Sequence, residues 1–486
     1  MLRWLRTLFV PVKSAESTLF EPPIVIKSVE KNITRNVRTL PEPKPTYEIK
    51  EEWIPIIAAF QRGENIFITG QAGTGKSTLI SHLRGLTTRK IVMLAPTGIA
   101  ALNICGQTIH SFCQFPPEVI TKKHIKSNKL NRGKAQACDI IIIDEISMVR
   151  CDLLGGTDHF MRRNGKDPKK PFGGVQIILV GDPLQLPPVV NKVDERLMLK
   201  IGYKQFFFWG CTGWQHSAPV VFELTTVYRQ AEIDFSEILG RIRKGNINNS
   251  DIETLNSCVD EGFKTSDNPF YITVTCFCSL AFAINSNSLY NHPGDVVSYS
   301  ARLEGSFAKI TVEENLPFER NLMLKIGVPV MFNKNSKAWM NGEIGKIIEL
   351  HNDRVVVELH GDTVTVRRVV WGDVRYRINE RTGELEEQEV GKAEQFPLVL
   401  AWAVTIHKSQ GLSFDRINVD FKGGAFSSGQ AYVALSRCRT LSGLKLAMPF
   451  YPNNIITDPE AVAFMAGVTG QTNGVQVISS TTNTGG

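Results

Sequence analysis

Eight consecutive residues, Gly70-Gln71-Ala72-Gly73-Thr74-Gly75-Lys76-Ser77, have the types and the spacing needed to hold a row of phosphates. Glycines let backbone N–H groups turn inward on an anion, and a helix starting at the end of the loop adds the positive end of its dipole. Lys76 is placed to neutralise the outer phosphates and the Ser77 hydroxyl to bind Mg²⁺; Gly70, Ala72, Gly73, Thr74, Gly75 and Thr78 form the rest of the cradle. The expected ligand is ATP with Mg²⁺. Further on, Ile140-Ile141-Ile142-Ile143-Asp144-Glu145 ends an apolar run in two carboxylates. Asp144 is expected to hold Mg²⁺, directly or through water, and Glu145 to orient and deprotonate an attacking water.

These groups meet only if particular elements carry them. Asn65 to Thr69 reads as a strand entering the glycine loop, and Ser77 to Leu83 as the helix leaving it. Further strands are expected at Lys90 to Leu94, Asp139 to Ile143, Gln176 to Val180 and Val220 to Leu224. Short Ile- and Val-rich runs separated by helical stretches are what a parallel sheet buried on both faces requires. A second set follows: Tyr271 to Phe277, a helix over Ala281 to Tyr290, then Leu398 to Val404, Ile417 to Val419 and Leu444 to Ala447. Between the two last-named halves, Ile344 to Val390 alternates in character and carries turn signals at Asn341-Gly342, His360-Gly361-Asp362 and Thr382-Gly383, which predicts a small β-barrel-like insertion. The fold class is α/β.

Composition bounds the rest. At 486 residues, 42% hydrophobic and 21% charged, the chain has the make-up of a soluble globular protein of several units. A net charge of +7 permits a polyanionic partner without demanding one. Nine scattered cysteines with no C-x-x-C pair argue against a disulfide framework or a structural metal, and no apolar run is long enough to span a membrane. Residues 1–46, with Pro22-Pro23 and Pro41-Glu42-Pro43-Lys44-Pro45, read as a flexible leader whose basic start is either a targeting segment or a frayed terminus. Residues 453–486 read as a flexible tail, because no charge follows Glu460.

Downstream of the loop the chain carries Ala95-Pro96-Thr97-Gly98-Ile99-Ala100-Ala101, Gly106-Gln107-Thr108-Ile109-His110-Ser111-Phe112, Asp144-Glu145-Ile146-Ser147-Met148, and Phe172-Gly173-Gly174-Val175-Gln176 leading to Gly181-Asp182-Pro183-Leu184-Gln185-Leu186-Pro187-Pro188-Val189. Tyr228-Arg229-Gln230, Val404-Thr405-Ile406-His407-Lys408-Ser409-Gln410-Gly411 and Gln430-Ala431-Tyr432-Val433-Ala434-Leu435-Ser436-Arg437 follow. This ordered series, spanning Asn65 to Ala447, resembles the superfamily 1B DNA helicases, and its Phe-Gly-Gly-Val-Gln approach to Gly-Asp-x-x-Gln-Leu-Pro-Pro-Val looks like the Pif (petite integration frequency) family, which is related to RecD-type helicases.

The resemblance implies two RecA-like P-loop NTPase domains: 47–226, with a small wedge at about 113–137, and 227–335 with 396–452. It also implies an SH3-like β insertion over 336–395. The implied activity is an ATP-dependent helicase moving 5′-to-3′ on single-stranded DNA and opening tailed or forked duplex, in repair, recombination or replication. The alternative is a DNA-dependent ATPase, a remodeller or RecD-like subunit, that does not unwind by itself. By the same resemblance Gln185 contacts the γ-phosphate, Gly411 joins the nucleotide site, and Arg229 and Arg437 reach into the cleft as arginine fingers unless they form surface ion pairs. Pro96, Thr97, His110, Ser111, Pro187, Thr405, His407, Lys408 and Ser409 are the implied DNA contacts, and Phe112 either stacks on a base or sits in the core. The basic stretch Gln114 to Lys134 falls at the wedge and is either a phosphate contact or a solvated loop. The family's adenine-reading glutamine is missing from Tyr47 to Phe60, where Trp53 stands near its place as a base-stacking or core residue. A monomer acting inside the cell, in cytoplasm, nucleoid, nucleus or mitochondrion, is expected.

Overall fold

The computed structural model describes residues 49–469 except 231, 269, 312–315, 380–384 and 423. The expected leader and the end of the expected tail, from 470 on, lie outside the described residues. The first lobe is built on six parallel strands, β1 (Ile66–Gly70), β2 (Ile91–Ala95), β3 (Gln107–Thr108), β4 (Ile140–Ile143), β5 (Gln176–Val180) and β6 (Val220–Leu224), in the order β3-β2-β4-β5-β1-β6. The four isoleucines of β4 explain its place. Ile140 and Ile142 enter one core with Ile66, Ile68, Ile178 and Val180, while Ile141 and Ile143 enter the core on the opposite face with Phe67, Ile177 and Leu179. Because β4, β5 and β1 are neighbours running the same way, the glycine loop, Asp144 and Asp182 all leave from one edge, where ligands bind such sheets.

The chain then forms β7 (Ile272–Thr275), β8 (Val297–Ser300), β9 (Arg302–Gly305), β10 (Asn321–Leu324), β11 (Pro329–Phe332), β12 (Ile344–Leu350), β13 (Arg354–Leu359), β14 (Asp362–Arg367), β15 (Val369–Ile378), β16 (Leu385–Gln395), β17 (Leu398–Leu400), β18 (Ala403–Thr405), β19 (Ile417–Asp420) and β20 (Leu444–Leu446). The second lobe's parallel sheet has the order β18-β7-β19-β20. Against it packs the helix Ile233–Lys244, whose Phe235, Ile238, Leu239 and Ile242 recur at helical spacing. The expected strand over Leu398 to Val404 is two strands: β17 pairs antiparallel with β11 in the insertion, and after Ala401-Trp402 the chain enters β18 beside β7. The insertion also begins earlier than 336–395, since its five-stranded sheet β14-β13-β12-β11-β17 takes β11 and β17 from outside that range.

Two further expectations change. The tail expected from 453 begins with an ordered helix, Pro459–Thr469, whose Ala461, Met465 and Val468 are buried in the first lobe's core and whose Phe464 stacks on Trp209 at 4.1 Å. Its apolar residues, not missing charges, decide its fate. The wedge stretch is partly core: Phe115, Val119, Ile120, Ile125 and Ala135 are buried, and Lys134 turns inward to donate to the Phe112 carbonyl at 2.6 Å. The hairpin β15–β16 reaches this surface from the insertion, and the Tyr376 hydroxyl accepts the Met93 N–H of β2 at 3.1 Å.

Candidate active site between the two lobes

The glycine loop leaves β1 through Gly70 (φ +147°), Gly73 (φ +83°) and Gly75 (φ +82°), angles that side chains oppose. Space opposes them too: a Cβ on Gly73 would lie 2.3 Å from that of Arg229. The loop feeds the helix Lys76–Gly85, anchored by buried Leu79, Ile80 and Leu83. Lys76 Nζ donates to the Gly70 and Gln71 carbonyls at 2.7 and 2.8 Å, which holds it over the loop with a third N–H to give.

A cavity of about 550 Å³ opens here, lined from the first lobe by residues 72–78, Asp144, Glu145, Gly181 and Gln185, and beyond them by Tyr228, Arg229, Gly411, Ser413, Arg437 and Arg439. The structure thus brings together every residue expected to act on the phosphates and magnesium except Gly70, the last residue of β1. Contacts cross the cleft. Gln410 Nε2 donates to Glu145 Oε2 at 3.0 Å, and the Tyr432 hydroxyl accepts the Ala72 N–H at 2.8 Å. Arg229 Nη2 donates to the Gly411 carbonyl at 3.2 Å, while its Nη1 is buried with no hydrogen-bond partner among the described residues. Arg437 is 1% exposed and bonds only to carbonyls of Ser409, Leu412 and Val433 and to the Ser436 hydroxyl. Among the described residues neither arginine has an ion-pair partner at the surface.

The electrostatics fit an anion with a cation beside it. Burial lowers the pKa of Lys76 to about 8, that of Arg437 to about 9 and that of Arg229 as well, so three desolvated cations face the cavity. Burial first, and neighbouring Asp144 second, push Glu145 up to about 7; burial also raises Asp144, whose Oδ1 accepts the Glu145 N–H at 2.9 Å. Glu145 sits at φ 50°, a left-handed angle unusual for a side-chain-bearing residue. Among the described residues no group of three or more His, Cys, Asp or Glu could cage a metal. A magnesium ion here would rest on Asp144, Ser77, phosphate oxygens and water, the sparse ligation that ion favours.

The expected DNA contacts divide. Pro96, Thr97, His110, Ser111 and Pro187 are exposed or half-buried and follow β2, β3 and β5; His407 and Lys408 are exposed and follow β18. Phe112 is fully buried beside Phe160 and cannot stack on a base. Ser409 is fully buried, donating to the Ile406 carbonyl at 2.8 Å, and buried Thr405 accepts the Lys408 N–H at 3.3 Å, so both shape the turn instead of facing DNA. Trp53 is likewise core, backing onto the loop from below. Sequence reasoning missed Tyr228 as a cavity residue, Gln410 and Tyr432, all inside the quoted blocks; what hid them was that their partners lie on the other lobe.

Fold and cleft together define a P-loop NTPase with two RecA-like lobes. The chain belongs to the Pif1 helicase family: the PIF1-like helicase profile matches residues 50–253, and the chain is 31% identical over 427 residues to the ATP-dependent DNA helicase Pif1 of Bdellovibrio bacteriovorus, covering 86% of this chain and 91% of that protein. It is 34% identical over 439 residues to the mouse ATP-dependent DNA helicase PIF1, covering 88% of this chain but only 64% of the mouse protein. Among solved structures, Pif1 from a Bacteroides species in complex with ADP-AlF4 superposes with a TM-score of 0.79 at 31% identity, covering 88% of this chain and 98% of that one. A Bacteroides Pif1 bound to single-stranded DNA gives a TM-score of 0.63 at 32% identity, covering 87% of this chain and 98% of that one.

Proposed function

We propose that this chain hydrolyses Mg-ATP in the cleft between its lobes and uses the resulting motion to travel 5′-to-3′ along single-stranded DNA and open duplex. The observation that carries the reading is the cavity itself, which joins Lys76, Asp144, Glu145 and Gln185 of one lobe to Arg229, Arg437 and Gly411 of the other. Lys76 and the loop amides bind the phosphates, Ser77 and Asp144 hold the magnesium ion, and Glu145 accepts a proton from the attacking water. Arg229 and Arg437 stabilise charge on the transferring phosphoryl group, so hydrolysis waits for the lobes to meet. Tyr228, half-exposed at the mouth with its ring 3.8 Å from where a Gly75 Cβ would lie, offers the base a flat face that Trp53 does not.

DNA lies across the rim formed by Pro96, Thr97, His110, Ser111, Pro187, His407 and Lys408, where the donors of Thr97, His110, Ser111, His407 and Lys408 suit a backbone of any sequence. The β insertion, an SH3-like module in this reading, and the basic stretch near 113–137 flank that path as duplex-facing parts. Relatives named ATP-dependent DNA helicases, and a solved structure of two coordinating Pif1 helicases unwinding forked duplex DNA, support the substrate class. No helix among the described residues is long and apolar enough to cross a membrane. The test is an unwinding assay with tailed duplexes. Opening of a 5′-tailed substrate with ATP, and not of its 3′-tailed counterpart, is expected; DNA-stimulated hydrolysis without strand separation would sink the helicase reading.

A further inference from the structure

The helix Ile233–Lys244 of the second lobe lies against the glycine loop, where a Cβ on Gly240 would lie 3.7 Å from the Gln71 side-chain amide nitrogen. Its last turn carries Arg243, 2% exposed, into the first lobe. There the guanidinium is two-pronged: Nη2 donates to Asp182 Oδ1 at 2.8 Å, and Nε lies 3.2 and 3.0 Å from Asp182 Oδ1 and Oδ2. Its remaining nitrogen, Nη1, lies 3.5 Å from Glu223 Oε1. Asp182 leaves β5 and Glu223 sits in β6, and in the sheet order β5-β1-β6 these strands flank the one that ends in the phosphate loop. The same Asp182 carboxylate accepts from Gln185 Nε2 at 3.2 Å. One arginine from the second lobe therefore grips both neighbours of the loop strand, and shares an acceptor with the glutamine of the cavity wall.

From this geometry we infer that Arg243 is a positioning residue, linking the second lobe's position to the orientation of Gln185 and of the loop strand through Asp182. The inference rests on the hydrolytic reading of the cleft and deepens it. Arg243 is not among the residues that line the nucleotide cavity. A rigid fork on a fully buried carboxylate has one good geometry, so displacement of the second lobe must drag Asp182 or break the pair. Breaking it leaves a buried carboxylate without its cation, close to Lys76 and Glu145, both of which feel the Asp182 charge. Fixed in place, Asp182 is neutralised and Gln185 is aimed by an acceptor that moves with the second lobe.

Arg243→Gln alone would bare Asp182 and is a poor probe, because a misfolded chain would look the same. The informative variant is the double substitution Asp182→Asn with Arg243→Gln, which removes both charges and keeps both amide-sized groups. In the full chain, its melting temperature and its affinity for a fluorescent ADP analogue are expected within about threefold of wild-type binding and without an unfolding shift. Its DNA-stimulated kcat is expected to fall at least tenfold toward the DNA-free rate, with KM for ATP changed little. Arg243→Lys, which keeps the charge but loses the fork, is expected to fall between. Wild-type stimulation in the double variant would overturn the inference, and wild-type stimulation in Arg243→Lys would overturn the role of the fork. A wild-type enzyme indifferent to DNA would instead bring down the functional reading, and this inference with it.

Discussion

At the residue scale the cleft is organised around groups held away from their solution behaviour. Burial lifts Glu145 to about 7 and lowers Lys76 to about 8, which sets a narrow window in which the base is ionised and the cation is still charged. Below 7 Glu145 gains a proton and can accept none, so kcat/KM for ATP should rise about tenfold per pH unit up to there; above 8 the free enzyme loses the Lys76 charge and kcat/KM should fall. Steady-state rates between pH 5.5 and 9.5, on the order of that span, test this, and a flat acid limb would remove Glu145 as the base. Glu145→Gln should lower kcat by about 10²-fold or more and abolish the acid limb while leaving ADP bound. Arg437→Ala and Arg229→Ala should each slow hydrolysis by about 10³-fold with nucleotide binding retained, measured by single-turnover hydrolysis and equilibrium binding; lost binding with unaltered residual turnover would make them structural. Lys76→Ala removes the cation that faces the phosphates, and normal turnover in that variant would end the site assignment.

At the scale of elements, the parts legible in the sequence were those fixed by local pattern. The four isoleucines of β4 announce a strand buried on both faces, and glycines at fixed offsets announce the loop between β1 and its helix. What stayed hidden depended on partners distant in the chain. Phe112 looks the same in sequence whether it faces DNA or Phe160, and the split of Leu398 to Val404 into two sheets follows from pairing with β11 and β7, not from its own apolar run. The helix Pro459–Thr469 hid because a chain end poor in charge reads as a tail until a core is found that accepts Met465 and Phe464. It should therefore carry stability: Met465→Ala is expected to cost about 2–5 kcal/mol in denaturant unfolding, and a surface-like change under 0.5 kcal/mol would contradict its burial. The hairpin contact makes a matching case. Tyr376→Phe strands the Met93 N–H without its acceptor, which should cost about 1–3 kcal/mol.

At the scale of the molecule, the lobes are coupled by packing as well as by charge, since Ala72 and Leu186 of the first lobe are buried in the core of the second. On the proposed function the chain must hold DNA through many weak, sequence-blind contacts, and a net charge of +7 on 486 residues is too small to do that by field alone. The cations must be concentrated. Lys122, Lys123, Lys126, Lys129 and Arg132 are all exposed on one short stretch, whereas Lys134 of the same stretch is spent on the Phe112 carbonyl. If those exposed groups meet duplex phosphates, each contact contributes about 0.9 to the slope of log affinity against log salt. Replacing Lys122, Lys123 and Lys126 by glutamine should then reduce that slope by about 3, weaken binding most at low salt, and leave DNA-free ATP turnover unchanged, because none of the three lines the nucleotide cavity. Fluorescence anisotropy with a labelled tailed duplex across a salt series measures it. An unaltered slope would show the stretch to be a solvated face, and would move the search for the duplex contact to the insertion and its hairpin.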